Sequence, residues 1–222
     1  MDKNIIRQRE TFDDNVVSLK DIRYKKMNLL LSKLPKGKVL EIGCSSGEFL
    51  ASLKKKGWEV RGLEISKKAT QKAIDKGVDA SVHDANKKFP LEDNSYDVVI
   101  SRETIEHLYE DVDFLNECYR VLKKDGTLII TTPNLTSLKN RILMLFGFNP
   151  RYAIADHHYQ VYTFPLLRRL YQRSKFKKSK TKFGGNFIIY SSGREKILGT
   201  LFEKWADHMP SLAEHYIVIS RK

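Results

Sequence analysis

The sequence is poor in the residues that mark special chain classes. Two cysteines, Cys44 and Cys118, in 222 residues are too few for a disulfide framework and suit a reducing compartment. Six prolines and 12 glycines exclude a low-complexity chain, and an apolar content of 41% excludes a disordered one. The longest greasy stretch, Ile142 to Phe148, falls far short of the ~20 residues that span a bilayer. The opening residues also lack the apolar centre of a signal peptide. A single domain over residues 1–222, in the cytoplasm, is the expectation.

Acidic residues are scarce in the last third. The formal charge is +13, and it is unevenly placed. Residues 1–150 carry a net +4 and residues 151–222 a net +9, with eight bases and no acid between Arg168 and Lys182. Such asymmetry points to an anionic partner: nucleic acid, an acidic membrane surface or a phosphorylated substrate. A solvated basic face is the plain alternative.

The apolar pattern alternates between two periods. Val16 to Leu34 repeats at three- and four-residue steps and predicts a helix closed by Pro35 and Gly37. Strands follow at 38–43, 58–63, 78–82, 96–101 and 127–131, the last after an Asp125-Gly126 turn. Helices are expected between them at 47–56, 66–76 (opened by a Ser66 cap) and 112–122. This alternation predicts βαβ units and a mostly parallel sheet covered on both faces. Beyond Pro133 the rhythm loosens. Helices are expected at 135–148, 164–171 and 194–207, a basic edge strand at 175–183 and a last strand at 215–220.

In an open parallel sheet the ligand crevice lies beyond the carboxyl ends of the strands. The first strand ends in Glu41-Ile-Gly43-Cys44-Ser45-Ser46-Gly47-Glu48 and runs straight into a helix. Gly43 and Gly47 permit a tight turn and a close backbone approach. Glu64, twenty-one residues past Gly43, stands where a carboxylate can accept from both hydroxyls of a ribose. The Gly-x-x-x-Gly spacing is neither a dinucleotide fingerprint nor a phosphate loop. An adenosine ligand without a pyrophosphate fits it better.

The segment Val39 to Leu50 resembles the first motif of the class I S-adenosylmethionine (SAM)-dependent methyltransferases. The resemblance continues in order through Gly62-Leu-Glu64, Asp84-Ala85, Phe89 to Ile100 and Arg120 to Leu128, and more loosely through Leu212 to Lys222. It is similar in particular to the type 11 and ubiquinone-biosynthesis O-methyltransferase group. Ser45 stands where the family has a further glycine. The resemblance implies a doubly wound, mostly parallel seven-stranded sheet of Rossmann-like type with a helical cap. Residues 16–134 would be the SAM-binding core, 135–175 the cap and acceptor region, and 176–222 the last strands with an inserted helix.

Residue by residue, the resemblance implies that Glu41, Gly43, Cys44 and Gly47 surround the methionine and ribose parts of SAM. Glu64 would hold the ribose hydroxyls, Ile65 would flank the adenine, and Asp84 would accept from its amino group beside Ala85. Arg23 would grip the SAM carboxylate, and Arg102 would line the methionine side.

The chemistry is expected at the end of the fourth strand. Glu103, Glu106 and His107 are offset by three and one, so all three can converge on one side of a strand-to-helix junction. Two carboxylates and an imidazole form a hard donor set suited to Mg²⁺ or Mn²⁺. The same Glu-x-x-Glu-His resembles the quinone-directed O-methyltransferases and the enzymes that 2′-O-methylate small-RNA 3′ ends. Those RNA enzymes imply a further histidine ligand, which a register on Tyr162-Thr163 places at His158 and a register on Pro165 against the quinone enzymes places at His157. His107 as a metal-free general base, or as a purely structural residue, stays open.

The acceptor is less legible. A hydroxyl on a small, glycan-linked or lipid-linked molecule is expected, and the basic, apolar 135–148 segment would suit an anionic membrane surface. The Arg168 to Lys182 run, interleaved with Tyr171, Phe176 and Phe183, could instead track a nucleic-acid backbone. The corresponding alternatives are methylation of RNA ends and a non-catalytic SAM-binding scaffold on nucleic acid.

Overall fold

A computed structural model describes residues 22–151, 158–186 and 207–222, without the side chains of residues 22 and 23. The part of the first expected helix before residue 22, and most of the 194–207 helix, lie outside the described residues. Seven strands are present among those described: β1 (Lys38–Ile42), β2 (Glu59–Glu64), β3 (Asp79–Val82), β4 (Tyr96–Arg102), β5 (Leu122–Pro133), β6 (Lys180–Asn186) and β7 (His215–Arg221). They form one sheet in the order β3-β2-β1-β4-β5-β7-β6. Neighbours from β3 to β5 run parallel, and β7 is antiparallel to both β5 and β6. β1 leaves toward β2 on one side while β4 joins it on the other, which makes its carboxyl end the switch point and the place for a ligand.

Helices cover both faces: α1 (Ile22–Leu31), α2 (Glu48–Lys55), α3 (Lys67–Asp75), α4 (Asp111–Val121), α5 (Leu138–Leu145) and α6 (Phe164–Arg173). One apolar cluster joins Leu40, Ile42 and Val99 to Phe114, Leu115, Leu167 and Tyr171 under α4 and α6. The other joins Val39, Val98 and Ile129 to Met27, Leu31, Phe49 and Leu53 under α1 and α2. Because β1 feeds both clusters, Val39, Leu40 and Ile42 are fully buried. Such side chains contribute about 1.5–3 kcal/mol each by leaving water. The Ser66 cap is in place, its hydroxyl accepting from the Ala69 N–H at 3.0 Å.

Three elements depart from the sequence reading. β5 starts at Leu122 rather than after the Asp125-Gly126 turn. The partner register jumps from Tyr96↔Leu122 to Val98↔Thr127, so the turn is absorbed as a bulge. The bulge is closed by the Asp125 N–H on the Lys222 carbonyl and the Lys222 N–H on that of Gly126. Residues 175–178 form a 3-10 turn, not strand, because the Ser174 hydroxyl takes the Phe176 N–H. β6 then begins at Lys180. α5 buries only Asn140, held through its amide to the Asn134 and Leu135 carbonyls. It is anchored by a polar residue, and Leu138, Ile142, Met144 and Leu145 stay exposed.

Candidate functional site

The loop after β1 is built from backbone that few residues tolerate. Gly43, Ser45 and Gly47 have φ of 73°, 49° and 74°. A side chain on Gly43 would collide with the Thr104 hydroxyl, and one on Gly47 would lie 2.9 Å from the Ala73 Cα of α3. Gly47→Ala is therefore expected to cost about 2–4 kcal/mol, from left-handed strain plus overpacking. A denaturant titration measures it directly.

Glu64 closes β2 beside this loop and is 6% exposed. Its carboxylate accepts from the Ser45 N–H at 2.8 Å and from the Ser66 N–H at 3.0 Å. Ile65 is half-buried next to it. Past β3, Asp84 accepts from both the backbone and the side-chain amide of Asn86, whose own oxygen takes the Tyr109 N–H at 2.8 Å. Ala85 packs against the core there. The sequence-predicted ribose and adenine residues thus stand at the ends of adjacent strands.

On the methionine side, Glu41 is fully buried in the middle of the sheet. Burial pushes its carboxyl above the usual carboxylate range, and Arg102 offsets this only in part. The Arg102 Nε donates to Glu41 Oε1 at 2.6 Å, while its guanidinium lies over the Tyr24 and Phe49 rings at 4.3 and 4.6 Å. Glu41 Oε2 has no hydrogen-bond partner among the described residues. A buried carboxylate oxygen left over at this edge, with a loop that has no room for side chains, fits the ammonium and backbone-hugging thioether of a bound SAM. Cys44 is buried, and desolvation raises its thiol well above the ordinary value, so it packs rather than reacts. The Arg23 side chain lies outside the described residues.

The junction after β4 separates the three residues that the spacing grouped. Glu106, His107 and His158 each offer a donor atom within 4.8 Å of the others. The His107 and His158 rings meet at 4.8 Å between centroids. Glu106 is buried, accepts from the Thr132 hydroxyl at 3.0 Å, and its carbonyl accepts from the Tyr159 and Gln160 N–H groups. Those two bonds hold the His158 strap over the turn, and Tyr109 stacks on Tyr159 at 4.0 Å.

Glu103 is the correction. It was expected in the same donor set, but its left-handed backbone, φ 50°, turns it toward β5 and β7. There it accepts from the Thr131 hydroxyl at 2.7 Å and pairs with His215 Nε2 at 3.2 Å. Of the two candidate histidines His158 reaches the cluster, and His157 lies outside the described residues.

Sequence reasoning missed His215 and Asn134. Asn134 is a buried hub whose amide donates to the Ser211 and Ala213 carbonyls and whose oxygen accepts from Thr136 and the Tyr216 hydroxyl. The Thr132-Pro133-Asn134 run was its only signal.

The methyltransferase-domain family matches residues 40–130, the stretch from β1 to the middle of β5 that carries this edge. Over that stretch the chain is similar to a methyltransferase domain. It is similar to a Mycobacterium tuberculosis protein named a probable SAM-dependent methyltransferase, 32% identical over 120 residues that are 53% of this chain and 44% of that one. It is also similar to a Caulobacter vibrioides ubiquinone biosynthesis O-methyltransferase, 30% identical over 44% of this chain and 41% of the other. The chain thus spans about two fifths of those relatives' length. The fold as a whole superposes on a SAM-dependent methyltransferase from Archaeoglobus fulgidus, with a TM-score of 0.64 at 20% identity and full coverage of both chains. No helix among the described residues is long and apolar enough to cross a membrane.

Proposed function

We propose that the protein is a SAM-dependent methyltransferase acting on a hydroxyl oxygen of a small, glycan-linked or lipid-linked acceptor. The observation that carries this reading is the meeting of two groups at one sheet edge. The Gly43–Gly47 loop with Glu64 lies on one side, and the Glu106–His107–His158 cluster follows the neighbouring strand. The names of the quinone-directed relatives favour oxygen as the acceptor atom.

In that reaction the sulfonium supplies an electrophilic methyl group, so the protein's task is to place the acceptor and take its proton. Glu64 and Asp84 would hold the ribose and adenine, and Glu41 with Arg102 the methionine end. His107 would stand at the acceptor. Glu106, His107 and His158 together also fit a divalent cation, which would lower the acceptor hydroxyl's pKa. With Glu103 turned away the set is two imidazoles and one carboxylate, which favours Mn²⁺ over Mg²⁺.

The experiment is transfer of labelled methyl from SAM to catechol and to simple sugar glycosides, using metal-stripped protein with and without added Mn²⁺. Transfer supports the reading. SAM binding with no transfer to any hydroxyl, and salt-sensitive RNA binding instead, would favour the scaffold alternative. Tyr171 and Phe176 are buried and Phe183 is half-buried against the core, which withdraws these rings from base stacking and weighs against nucleic acid.

A lipid-linked acceptor draws support from α5 and the loop after it. Leu138, Ile142, Met144, Leu145, Phe146 and Phe148 are all exposed, Leu145 by 80%. Lys139, Arg141 and Arg151 flank them in a stretch without any acid from residue 126 to 155. This face would rest on an anionic bilayer. Leu145→Glu with Phe146→Glu is expected to weaken sedimentation with phosphatidylglycerol vesicles roughly tenfold or more. Unchanged sedimentation removes the membrane reading.

A further inference from the structure

The SAM-type loop packs three left-handed residues into five positions, and the middle one is a serine. A serine at φ 49° meets steric opposition that glycine escapes. Left alone, such a loop would relax and lose its ligand-ready shape. Contacts on either side of Ser45 oppose that. Glu64 takes the Ser45 N–H, and Lys76 reaches the Ser46 carbonyl, one residue further on.

Lys76 caps the carboxyl end of α3, where its own N–H is bonded to the Ala73 carbonyl. Its ammonium donates to the Ser46 carbonyl at 2.8 Å and lies 3.3 Å from Glu48 Oε1. The Ser46 hydroxyl donates to the other oxygen of Glu48 at 2.7 Å. Burial pushes the Glu48 carboxyl up, yet the bonds from Ser46, from its own backbone and from Lys76 outweigh this and hold it below the usual range. The anchor is rigid, because Gly47 rests directly on Ala73 of the same helix. Ser46 is itself almost fully buried, and the lysine reaches its carbonyl from a partly exposed position.

We propose that Lys76 is a positioning residue for the cofactor. It holds the Gly43–Gly47 loop in its binding conformation and compensates for the serine at position 45. It touches no reacting atom. The proposal rests on the reading of this loop as the SAM site, and it assigns to Lys76 more than the small stabilisation of an exposed ion pair.

The test is calorimetric titration of S-adenosylhomocysteine (SAH) into wild type, Lys76→Met, Lys76→Arg, Ser45→Gly and the Lys76→Met/Ser45→Gly pair. Lys76→Met is expected to raise the Kd about tenfold, a loss equivalent to ~1.4 kcal/mol. Lys76→Arg restores wild-type binding. In the Lys76→Met background Ser45→Gly recovers most of the loss, since glycine adopts the left-handed turn without help. A Lys76→Met protein with wild-type affinity overturns the proposal. So does a loss that Ser45→Gly fails to recover, which would mean that Lys76 serves only the general fold. A wild-type protein that binds no SAH overturns the underlying reading of the loop, and that failure is distinguished because it precedes any variant.

Discussion

His107→Ala abolishes methyl transfer while leaving SAH affinity unchanged. The imidazole lies beyond β4, in the cluster with Glu106 and His158, and shares no contact with the Gly43–Gly47 loop or Glu64 among the bonds described. Removing it therefore takes away proton removal or acceptor placement and leaves the nucleoside site standing. A lost general base alone costs about 10²–10⁴ in turnover. His158→Ala separates the two ways in which His107 could act. If the cluster holds a cation, removing either ring is nearly as damaging, and Mn²⁺ binding to the SAH complex disappears with both. If His107 is a free base, His158→Ala retains most of the activity. Labelled methyl transfer together with SAH calorimetry reads each variant, and full activity in His107→Ala would contradict both roles.

Glu64→Ala weakens SAH binding by about 1–3 kcal/mol, the worth of charge-assisted hydrogen bonds to the ribose. That corresponds to a Kd roughly five- to 150-fold higher. Two effects combine in this variant, because the carboxylate also accepts from the Ser45 and Ser66 N–H groups. Glu64→Gln divides them. Its amide oxygen can keep one backbone bond, and the charge is lost, so a small fall in affinity would assign the carboxylate to the loop and a large one to the ribose. An Ala variant with unchanged affinity would mean that the ribose lies elsewhere.

Legibility in the sequence followed the range of the interactions. The five parallel strands and their helices could be read because each is encoded locally, by apolar periodicity, a serine cap or a glycine stop. The loop and Glu64 could be read for the same reason: a strand end, a turn and the next strand end fall at fixed spacing. Glu103 could not. Its spacing from Glu106 placed both in one set, but a left-handed residue reverses the direction of a side chain, and nothing in Arg102-Glu103-Thr104 announces that. Its partner His215 arrives on β7, whose antiparallel pairing with β5 is a tertiary fact. The Lys76 clamp was hidden similarly, since a lysine ending a helix reads as an ordinary favourable charge at the carboxyl end. The cap helix could be located from its apolar residues but not its orientation, because a single buried amide, Asn140, decides which side turns inward.

The central claim is that the edge formed by Gly43–Gly47, Glu64 and Asp84 is a SAM site. Calorimetric titration of SAH into the purified wild-type protein tests it most directly. The account predicts saturable one-to-one binding, sharply weakened in Glu64→Ala. An absence of binding, or binding that Glu64→Ala and Gly47→Ala leave untouched, would contradict it.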